Sequence, residues 1–214
     1  MYKRQETGGL KIYTTLDKDA QKYLENATNK YINKDSELQS SSIMMDPNTG
    51  EVLALMGGVD YNKSQFNRAT SAVRQVGSTM KPFLYYAALE NGFTASSAFI
   101  SERTTFTFSG NKTYSPKNYN DRYPNKQISL GAAISYSDNV YAVKTHLFLG
   151  EDVLVDMAKR VGISGNLEAI PSLALGSEEI SMIDMVGGYA CFANEGYKAV
   201  SYTHLRAHET RHDL

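Results

Sequence analysis

The stretch Arg74-Gln-Val-Gly-Ser-Thr-Met-Lys-Pro-Phe83 is the most informative part of this 214-residue sequence. It places Ser78 and Lys81 three positions apart, a spacing that puts both side chains on one face of a helix. A serine hydroxyl needs a base to attack a carbonyl at neutral pH, and a lysine amine within reach can be that base. The stretch therefore predicts a serine nucleophile that is activated by a lysine.

The residues on either side of this pair fit the same interpretation. Gly77 suits a loop that enters a helix, so we expect the N–H of Ser78 to be free at the helix N-terminus, where negative charge is favoured. A free N–H at this position is one half of an oxyanion hole. Pro82 follows Lys81, and because proline has no N–H it removes a helical hydrogen bond to the Ser78 carbonyl.

A second polar motif, Ser137-Asp138-Asn139, follows in a segment that is predicted to be helical. Short motifs arise by chance, and Ser109-Gly-Asn-Lys112 is another S-x-x-K. That copy falls in a Gly-Asn turn, where residues three apart need not share a face, so we exclude it. On their own, Ser78 and Ser137 are also compatible with helix caps, and Lys81 with a solvated surface lysine.

The composition excludes several classes of protein. Hydrophobic residues make up 42% of the chain and charged residues 21%, which is typical of a globular protein. A net charge of −1 gives no electrostatic reason to expect a nucleic acid partner. The single cysteine, Cys191, excludes an internal disulfide, and no apolar run is long enough for a membrane span. We expect any membrane anchor in an N-terminal part that precedes this sequence.

Both ends differ in character from the rest of the sequence. Residues 1–5 and 200–214 closely resemble translated sequencing-adapter read-through, and we interpret both as scars around a domain at residues 6–199. The second scar contains His208-Glu-Thr-Arg-His212, which matches the H-E-x-x-H motif of zinc hydrolases. That motif needs a buried helix and a third ligand, and here nothing follows to bury it, so we predict no metal site.

Periodicity and turn residues predict helices that alternate with short strands. Asp17 is a candidate N-cap for a helix that reaches about Tyr31, and Asp46-Pro-Asn-Thr-Gly50 is a turn between two strands. Ser177 is the predicted cap of the last helix. The predicted elements are a strand at 9–16, a helix at 17–31, a hairpin at 41–56, helical segments at 66–92, 128–149 and 153–161, and a final helix from 177 to about 196. Residues 94–125 are predicted to form a loop with short extended pieces.

Together with K-T-G, the motifs S-x-x-K and S-D-N mark penicillin-binding proteins and class A β-lactamases. The resemblance here is to the transpeptidase domain of class A (bifunctional) penicillin-binding proteins, and it covers nearly everything between residues 8 and 196. Besides the stretch around Ser78, the segments that carry it include Gly8-Gly-Leu-Lys-Ile-Tyr-Thr-Thr-Leu-Asp17, Met45-Asp-Pro-Asn-Thr-Gly-Glu-Val-Leu-Ala-Leu-Met-Gly-Gly58, Gly131-Ala-Ala-Ile-Ser-Tyr-Ser-Asp-Asn-Val-Tyr-Ala-Val143 and Pro171-Ser-Leu-Ala-Leu-Gly176. The resemblance implies an α+β fold, with helices around an antiparallel sheet that is incomplete because its C-terminal strands are missing.

The resemblance also implies a role for each motif residue. Ser78 would attack the D-Ala-D-Ala carbonyl of a peptidoglycan stem peptide, and Lys81 would accept its proton. Ser137 would carry that proton to the leaving D-alanine, and Asn139 would hold the substrate amide. An amine of a neighbouring stem would then form the cross-link, on the extracytoplasmic face of the bacterial cytoplasmic membrane. β-Lactams would acylate Ser78 as inhibitors, and no metal or organic cofactor would take part.

The third motif of the family, K-T-G, is absent from the sequence. In the family this strand binds the substrate carboxylate and supplies the second N–H of the oxyanion hole. We expect it beyond residue 199, so the chain is interpreted as the N-terminal part of the domain. A sheet without its last strands leaves an open edge and a bare apolar face, and we expect this truncated chain to fold poorly and to be inactive.

Two alternatives from other functional classes remain open at this point. A class A-like serine β-lactamase has a similar gap between its first two motifs, but it needs a deacylating glutamate. Glu168 is the nearest candidate, although it lacks the E-x-x-x-N pattern of those enzymes. A non-catalytic β-lactam sensor or scaffold would also retain S-x-x-K, and only cross-linking of a stem peptide to an amine distinguishes it from a transpeptidase.

Overall fold

The computed structural model describes residues 13–33 and 37–199, which form a mixed helical and β structure. The α-helices are α1 (Lys18–Tyr31), α2 (Arg68–Ser71), α3 (Lys81–Glu90), α4 (Leu130–Tyr136), α5 (Asn139–Leu149), α6 (Glu151–Arg160) and α7 (Met182–Ala193). The strands are β1 (Ser42–Met45), β2 (Val52–Met56), β3 (Val73–Gln75), β4 (Ala98–Ser101), β5 (Phe106–Thr107), β6 (Thr113–Tyr114), β7 (Lys126–Ser129) and β8 (Glu179–Ser181). The α+β prediction is confirmed. The predicted scars and the H-E-x-x-H motif lie outside the described residues.

The strands of the described part form antiparallel pairs. β1 pairs with β2, β4 with β7 and β5 with β6, while β3 pairs with β8 from a distant part of the sequence. The β1–β2 hairpin is confirmed, with Ser42 opposite Met56, and its turn is closed by a hydrogen bond from Asp46 N to Glu51 O. No helix of residues 13–33 and 37–199 is long and apolar enough to cross a membrane.

The first helix begins where the sequence predicts. The Asp17 side chain accepts hydrogen bonds from the N–H groups of Asp19 and Ala20, and it thereby satisfies two donors that have no partner inside the helix. Gln21 joins α1 to β2, because its side chain both donates to and accepts from the backbone of Leu55. Most of the strand predicted at 9–16 lies outside the described residues, and 13–17 have no regular secondary structure.

Two of the predicted helices are wrong in detail for the same reason. Residues 66–92 are not one helical segment, because β3 interrupts them before α3 begins. The last helix is not capped by Ser177, since Glu179 lies in β8, and the true cap is Ser181, whose hydroxyl accepts from Asp184 N. Both errors come from the β3–β8 pairing, in which Val73 lies opposite Ser181. Such a long-range pairing leaves no periodic signal in a sequence window.

The helices α3 and α5 lie in the core and are apolar on most sides, so neither has a wide solvent face. The Phe83 ring of α3 packs against Tyr189 and Phe192 of α7, with ring centroids 5.1 Å apart in each pair. The buried side chains of α3 and α5 that are most enclosed include Phe83, Leu84, Val140, Tyr141, Val143, Thr145 and His146. The ends of these two helices are therefore fixed relative to each other by packing.

His146 is a buried titratable group on α5. Its Nε2 lies 3.1 Å from the Ile170 carbonyl oxygen, whereas its Nδ1 is buried without a hydrogen-bond partner in the described part of the chain. Burial lowers the pKa of the His146 imidazole below its ordinary value, because the charged form loses its hydration. The unfolded chain therefore binds a proton at this residue more readily than the folded chain does.

We expect the free energy of unfolding to fall as the pH drops below about 6.5, the unfolded pKa of histidine. The contribution of His146 to this loss has a slope of up to about 1.4 kcal/mol per pH unit, and it ends at the folded-state pKa. Urea unfolding of the wild type and of His146→Gln at pH 7 and pH 5.5 measures it, since glutamine retains an N–H donor but does not titrate in this range. Equal losses of stability in the two proteins would contradict the assignment.

Candidate active site

Ser78 lies in a 3₁₀ helix, Gly77–Met80, that leads directly into α3. Gly77 has a φ of 59°, in the left-handed region that favours glycine. The Ser78 N–H has no acceptor among the described residues, as predicted for the start of a helix. Pro82 supplies no N–H, but the Ser78 carbonyl is not left free, because the 3₁₀ geometry lets the Lys81 N–H donate to it. The helical hydrogen bond from residue 82 to the Ser78 carbonyl is therefore absent, as predicted, and the Lys81 N–H takes its place.

A break between α4 and α5 carries the second motif. The predicted helical segment at 128–149 is interrupted at Ser137, which has φ 52° and ψ 45° in the left-handed region. Asp138 then caps α5, since its carboxylate accepts from Tyr141 N at 2.7 Å. The break turns the Ser137 side chain and the first residue of α5, Asn139, toward α3.

The structure brings together all four residues that the sequence singled out. The Lys81 Nζ donates to the Ser137 carbonyl at 2.7 Å and to the Ser137 Oγ at 3.0 Å. It also donates to the Asn139 Oδ1 at 2.6 Å. The Ser137 hydroxyl in turn donates to the Ser78 Oγ at 3.1 Å, although the two serines are 59 positions apart in the sequence. No direct hydrogen bond joins Lys81 to Ser78 within the described residues, so Ser137 lies between them.

Lys81 is not a solvated surface lysine, because only 3% of its surface is exposed. Burial lowers the pKa of its amine from the ordinary 10.5 to about 8, and the charge of Asp138 partly opposes this change. Each hydrogen-bond partner of the Nζ is a neutral oxygen, so no carboxylate contacts the amine directly. An amine with this pKa is partly deprotonated near neutral pH and can accept a proton.

A buried hydrogen-bond network that could not be predicted from the sequence lies behind this turn. The Asp138 carboxylate accepts from the Ser101 hydroxyl at 2.5 Å and from the Asn118 side chain at 2.7 Å. Asn118 also accepts from the N–H groups of Asn139 and Val140, so it joins a loop to the start of α5. An aspartate directly before a helix is typical of an N-cap, but this local signal does not indicate a buried hydrogen-bond network.

A backbone contact fixes the turn that carries Ser78. The Gly77 N–H donates to the Gly176 carbonyl at 3.0 Å, and Gly176 has a φ of 67°. A Cβ on Gly176 would overlap the backbone of Gly77, so only glycine permits this approach. The Tyr189 hydroxyl of α7 donates to the Thr79 carbonyl at 2.8 Å on another side of the turn.

Beside the serine lies a cavity of about 350 Å³. Ser78, Lys81 and Ser137 form its polar part, and the remainder is apolar, lined by Pro82, Tyr85, Tyr86, Leu89, Ile134 and Phe192. No group of three or more His, Cys, Asp or Glu side chains in the described parts of the chain could hold a metal ion. The excluded copy at Ser109 lies in a turn, where Gly110 and Asn111 both have positive φ.

Comparison with known proteins places this geometry in a family. Residues 41–203 match the model of the penicillin binding protein transpeptidase domain. The chain belongs to this family. Over 194 residues it is 51% identical to penicillin-binding protein 2D of Bacillus subtilis, covering 90% of the chain, and over 163 residues it is 37% identical to penicillin-binding protein 1A of Escherichia coli, covering 75%. It spans only 28% and 19% of the lengths of these penicillin-binding proteins.

Solved penicillin-binding proteins share the fold. Penicillin-binding protein 1A of Haemophilus influenzae aligns with a TM-score of 0.69 and 34% identity over 73% of this chain and 23% of its own. PonA1 of Mycobacterium tuberculosis, solved in complex with penicillin V, aligns with a TM-score of 0.78 and 24% identity over 93% of this chain and 55% of its own. The family predicted from the sequence is therefore confirmed.

We expect Gly176→Ala to destabilise the protein much more than Gly92→Ala. Both glycines have positive φ, so alanine costs about 1–2 kcal/mol at either position. An alanine Cβ at residue 92 meets no atom within 4 Å, whereas at residue 176 it meets the Gly77 backbone. We expect about 1–3 kcal/mol of additional destabilisation for Gly176→Ala, measured by urea unfolding. If both variants lose the same free energy of unfolding, the turn at Gly77 can move to accommodate a Cβ on residue 176 at no energetic cost, and the prediction is wrong.

Proposed function

We propose that the protein is a peptidoglycan D,D-transpeptidase that forms an acyl-enzyme at Ser78. The observation that carries this proposal is the hydrogen-bonded series from the Lys81 Nζ to the Ser137 Oγ and on to the Ser78 Oγ. A buried amine with a lowered pKa is joined through a hydroxyl to a second hydroxyl that borders a cavity. This is the arrangement that serine acyl transfer requires.

In the acylation step, the Ser78 Oγ attacks the carbonyl carbon between the two D-alanines of a stem peptide. The hydroxyl proton passes through Ser137 to the Lys81 amine, and the Ser78 N–H stabilises the negative charge that develops on the carbonyl oxygen. The C–N bond then breaks, and the leaving D-alanine nitrogen takes the proton back through Ser137. The products are free D-alanine and an ester between Ser78 and the remaining stem.

In the second step an amine of a neighbouring stem attacks the ester carbonyl. The amine loses its proton to Lys81 through Ser137, the C–O bond breaks, and the Ser78 hydroxyl is restored as the cross-link forms. Asn139 holds the substrate amide in this proposal. Its side-chain amide now donates to the Lys117 carbonyl at 2.7 Å, so a substrate carbonyl can replace that acceptor.

β-Lactams are proposed to acylate Ser78 in place of the stem peptide. PonA1, which shares the fold, was solved with penicillin V. The proposed location is the extracytoplasmic face of the bacterial membrane, where stem peptides are found, with any membrane anchor in an N-terminal part. We propose that residues 6–199 are the N-terminal part of the domain. The 214-residue chain alone is proposed to be inactive, because no K-T-G is present to bind the substrate carboxylate.

The alternative functions have less support. A class A-like β-lactamase needs a glutamate at the acyl-enzyme, but Glu168 is exposed and does not line the cavity beside Ser78. One assay distinguishes a β-lactam sensor from a transpeptidase. A sensor would be acylated by a β-lactam but would not join a stem-peptide donor to an amine acceptor. Formation of that cross-linked product by the protein from the complete source gene supports the transpeptidase.

We expect Ser78→Ala to abolish covalent labelling by a fluorescent penicillin, because the ester cannot form. Ser109→Ala is the matched control, since it removes the serine of the other S-x-x-K, and its labelling should equal that of the wild type. The assay uses the protein expressed from the complete source gene, with this 214-residue chain in parallel. Labelling of Ser78→Ala, or stoichiometric labelling of the 214-residue chain, would refute the corresponding proposal.

We also expect the acylation rate to depend on the protonation of Lys81. Because the free amine is the base and its pKa is about 8, the second-order rate constant should rise toward pH 8 and level off above it. Well below the pKa, the rise approaches tenfold per pH unit. Lys81→Arg should lose at least about 100-fold at pH 7.5, since arginine does not deprotonate. A rate that is constant between pH 6 and pH 8 would exclude Lys81 as the base.

A further inference from the structure

Asp138 is a buried carboxylate without a cationic partner in contact. Only 4% of its surface is exposed. Its oxygens accept hydrogen bonds from the Ser101 hydroxyl, the Asn118 side-chain amide and the Tyr141 N–H. All three donors are neutral, and no salt bridge is formed by this carboxylate within the described residues. A buried charge is costly unless hydrogen bonds and an opposite charge compensate it, so a neighbouring cation is expected.

Lys81 is that cation. Its amine is held by the Ser137 carbonyl and hydroxyl and by the Asn139 side chain, and these two residues flank Asp138 in the sequence. The buried amine and the buried carboxylate thus lie on two sides of one short turn, and each is held by neutral groups. Because water is largely excluded from both, their attraction is screened less than that of a surface pair.

We propose that Asp138 is a positioning residue whose buried carboxylate favours the ammonium form of Lys81 and so sets the pH range in which Ser78 is activated. The inference deepens the proposed function and rests on it. The two charges act in opposite directions on the base, because burial favours the free amine and Asp138 favours the protonated one. The protonation equilibrium of Lys81 therefore reflects both its burial and the charge of Asp138.

The tyrosine hydroxyls near Lys81 do not carry charge in the relevant range. Tyr85 lies one turn further along α3, Tyr141 of α5 packs edge-on against it, and Tyr189 of α7 donates to the turn before Lys81. Burial raises the pKa of each of these three hydroxyls, so all are neutral near pH 8. Lys117 is exposed and therefore screened by solvent.

A further cation, Lys144, lies on the far side of the network. Its Nζ donates to the Ile100 carbonyl, next to Ser101, and not to the Asp138 carboxylate. It carries the same charge as Lys81, so it cannot supply the attraction that favours the Lys81 ammonium. Asp138 remains the acidic group that faces Lys81 in the described part of the chain.

Asp138→Asn tests the inference, because asparagine has nearly the same shape and is an equally good helix N-cap but has no charge. Asp138→Ser removes the charge with a different capping residue, and it provides a second test if the first variant does not fold. Asp138→Glu retains the negative charge that the other two variants remove. Ser101→Ala removes one hydrogen bond to the carboxylate and retains the charge. It therefore shows how a structural change alone affects the acylation rate and the midpoint of Lys81.

Two readouts are measured from pH 5 to pH 10 on the protein from the complete source gene. The first is the rate of acylation by a fluorescent penicillin. The second is the titration midpoint of Lys81, from NMR of protein with ¹³C at lysine Cε, with the signal assigned by its loss in Lys81→Arg. We expect both midpoints to fall by on the order of one pH unit in Asp138→Asn and Asp138→Ser. At pH 6 the rate relative to its plateau should then rise about tenfold.

Asp138→Glu and Ser101→Ala should retain a midpoint close to that of the wild type, even if their plateau rates are lower. Unchanged midpoints in folded Asp138→Asn and Asp138→Ser, with lower rates at every pH, would overturn the inference and leave Asp138 as a helix cap. Failure of the proposed function is distinguishable from this outcome. It would appear as a wild type that is not labelled at Ser78, whereas the NMR midpoints would still test Asp138.

Discussion

The hydrogen bonds from the Lys81 amine to the turn at Ser137 are the interaction on which the candidate site depends. They join the start of α3 to the junction of α4 and α5, two parts of the core that are distant in the sequence. Packing of α3 and α5 fixes the distance between the helices, and this amine holds the Ser137 hydroxyl, which in turn donates to Ser78. A single side chain therefore stabilises the local structure and also provides the proposed base.

Much of this arrangement could be predicted from the sequence. Asp17 was correctly predicted to be a cap, the hairpin at Asp46 was predicted from its turn residues, and the four motif residues come together as the resemblance to the family implied. These features are local, or they are carried by motifs whose chemistry is distinctive. The β3–β8 pairing was missed because hydrogen bonds between distant short strands leave no periodic pattern. Asp138 was missed because burial of a charge depends on what packs around it.

The electrostatics of the site depend on the shape of the turn at residues 137–139, which a sequence motif does not specify. The same three-residue turn exposes Ser137 and Asn139 to the lysine and directs Asp138 into the interior. The left-handed backbone of Ser137 makes this division possible, since a continuous helix would place the three side chains at regular angles around one axis. The left-handed residue is therefore part of the site, and hydrogen bonds to Ser137 and Asp138 hold the turn on both sides.

The contact between Gly77 and Gly176 has a consequence for how freely the sequence can diverge. It joins two backbones, and a Cβ on Gly176 would overlap Gly77, so residue 176 cannot diverge from glycine while the turn keeps its place. Residues such as Leu89 and Ile134, which face the apolar cavity, take no part in this contact, so the contact itself places no restriction on them.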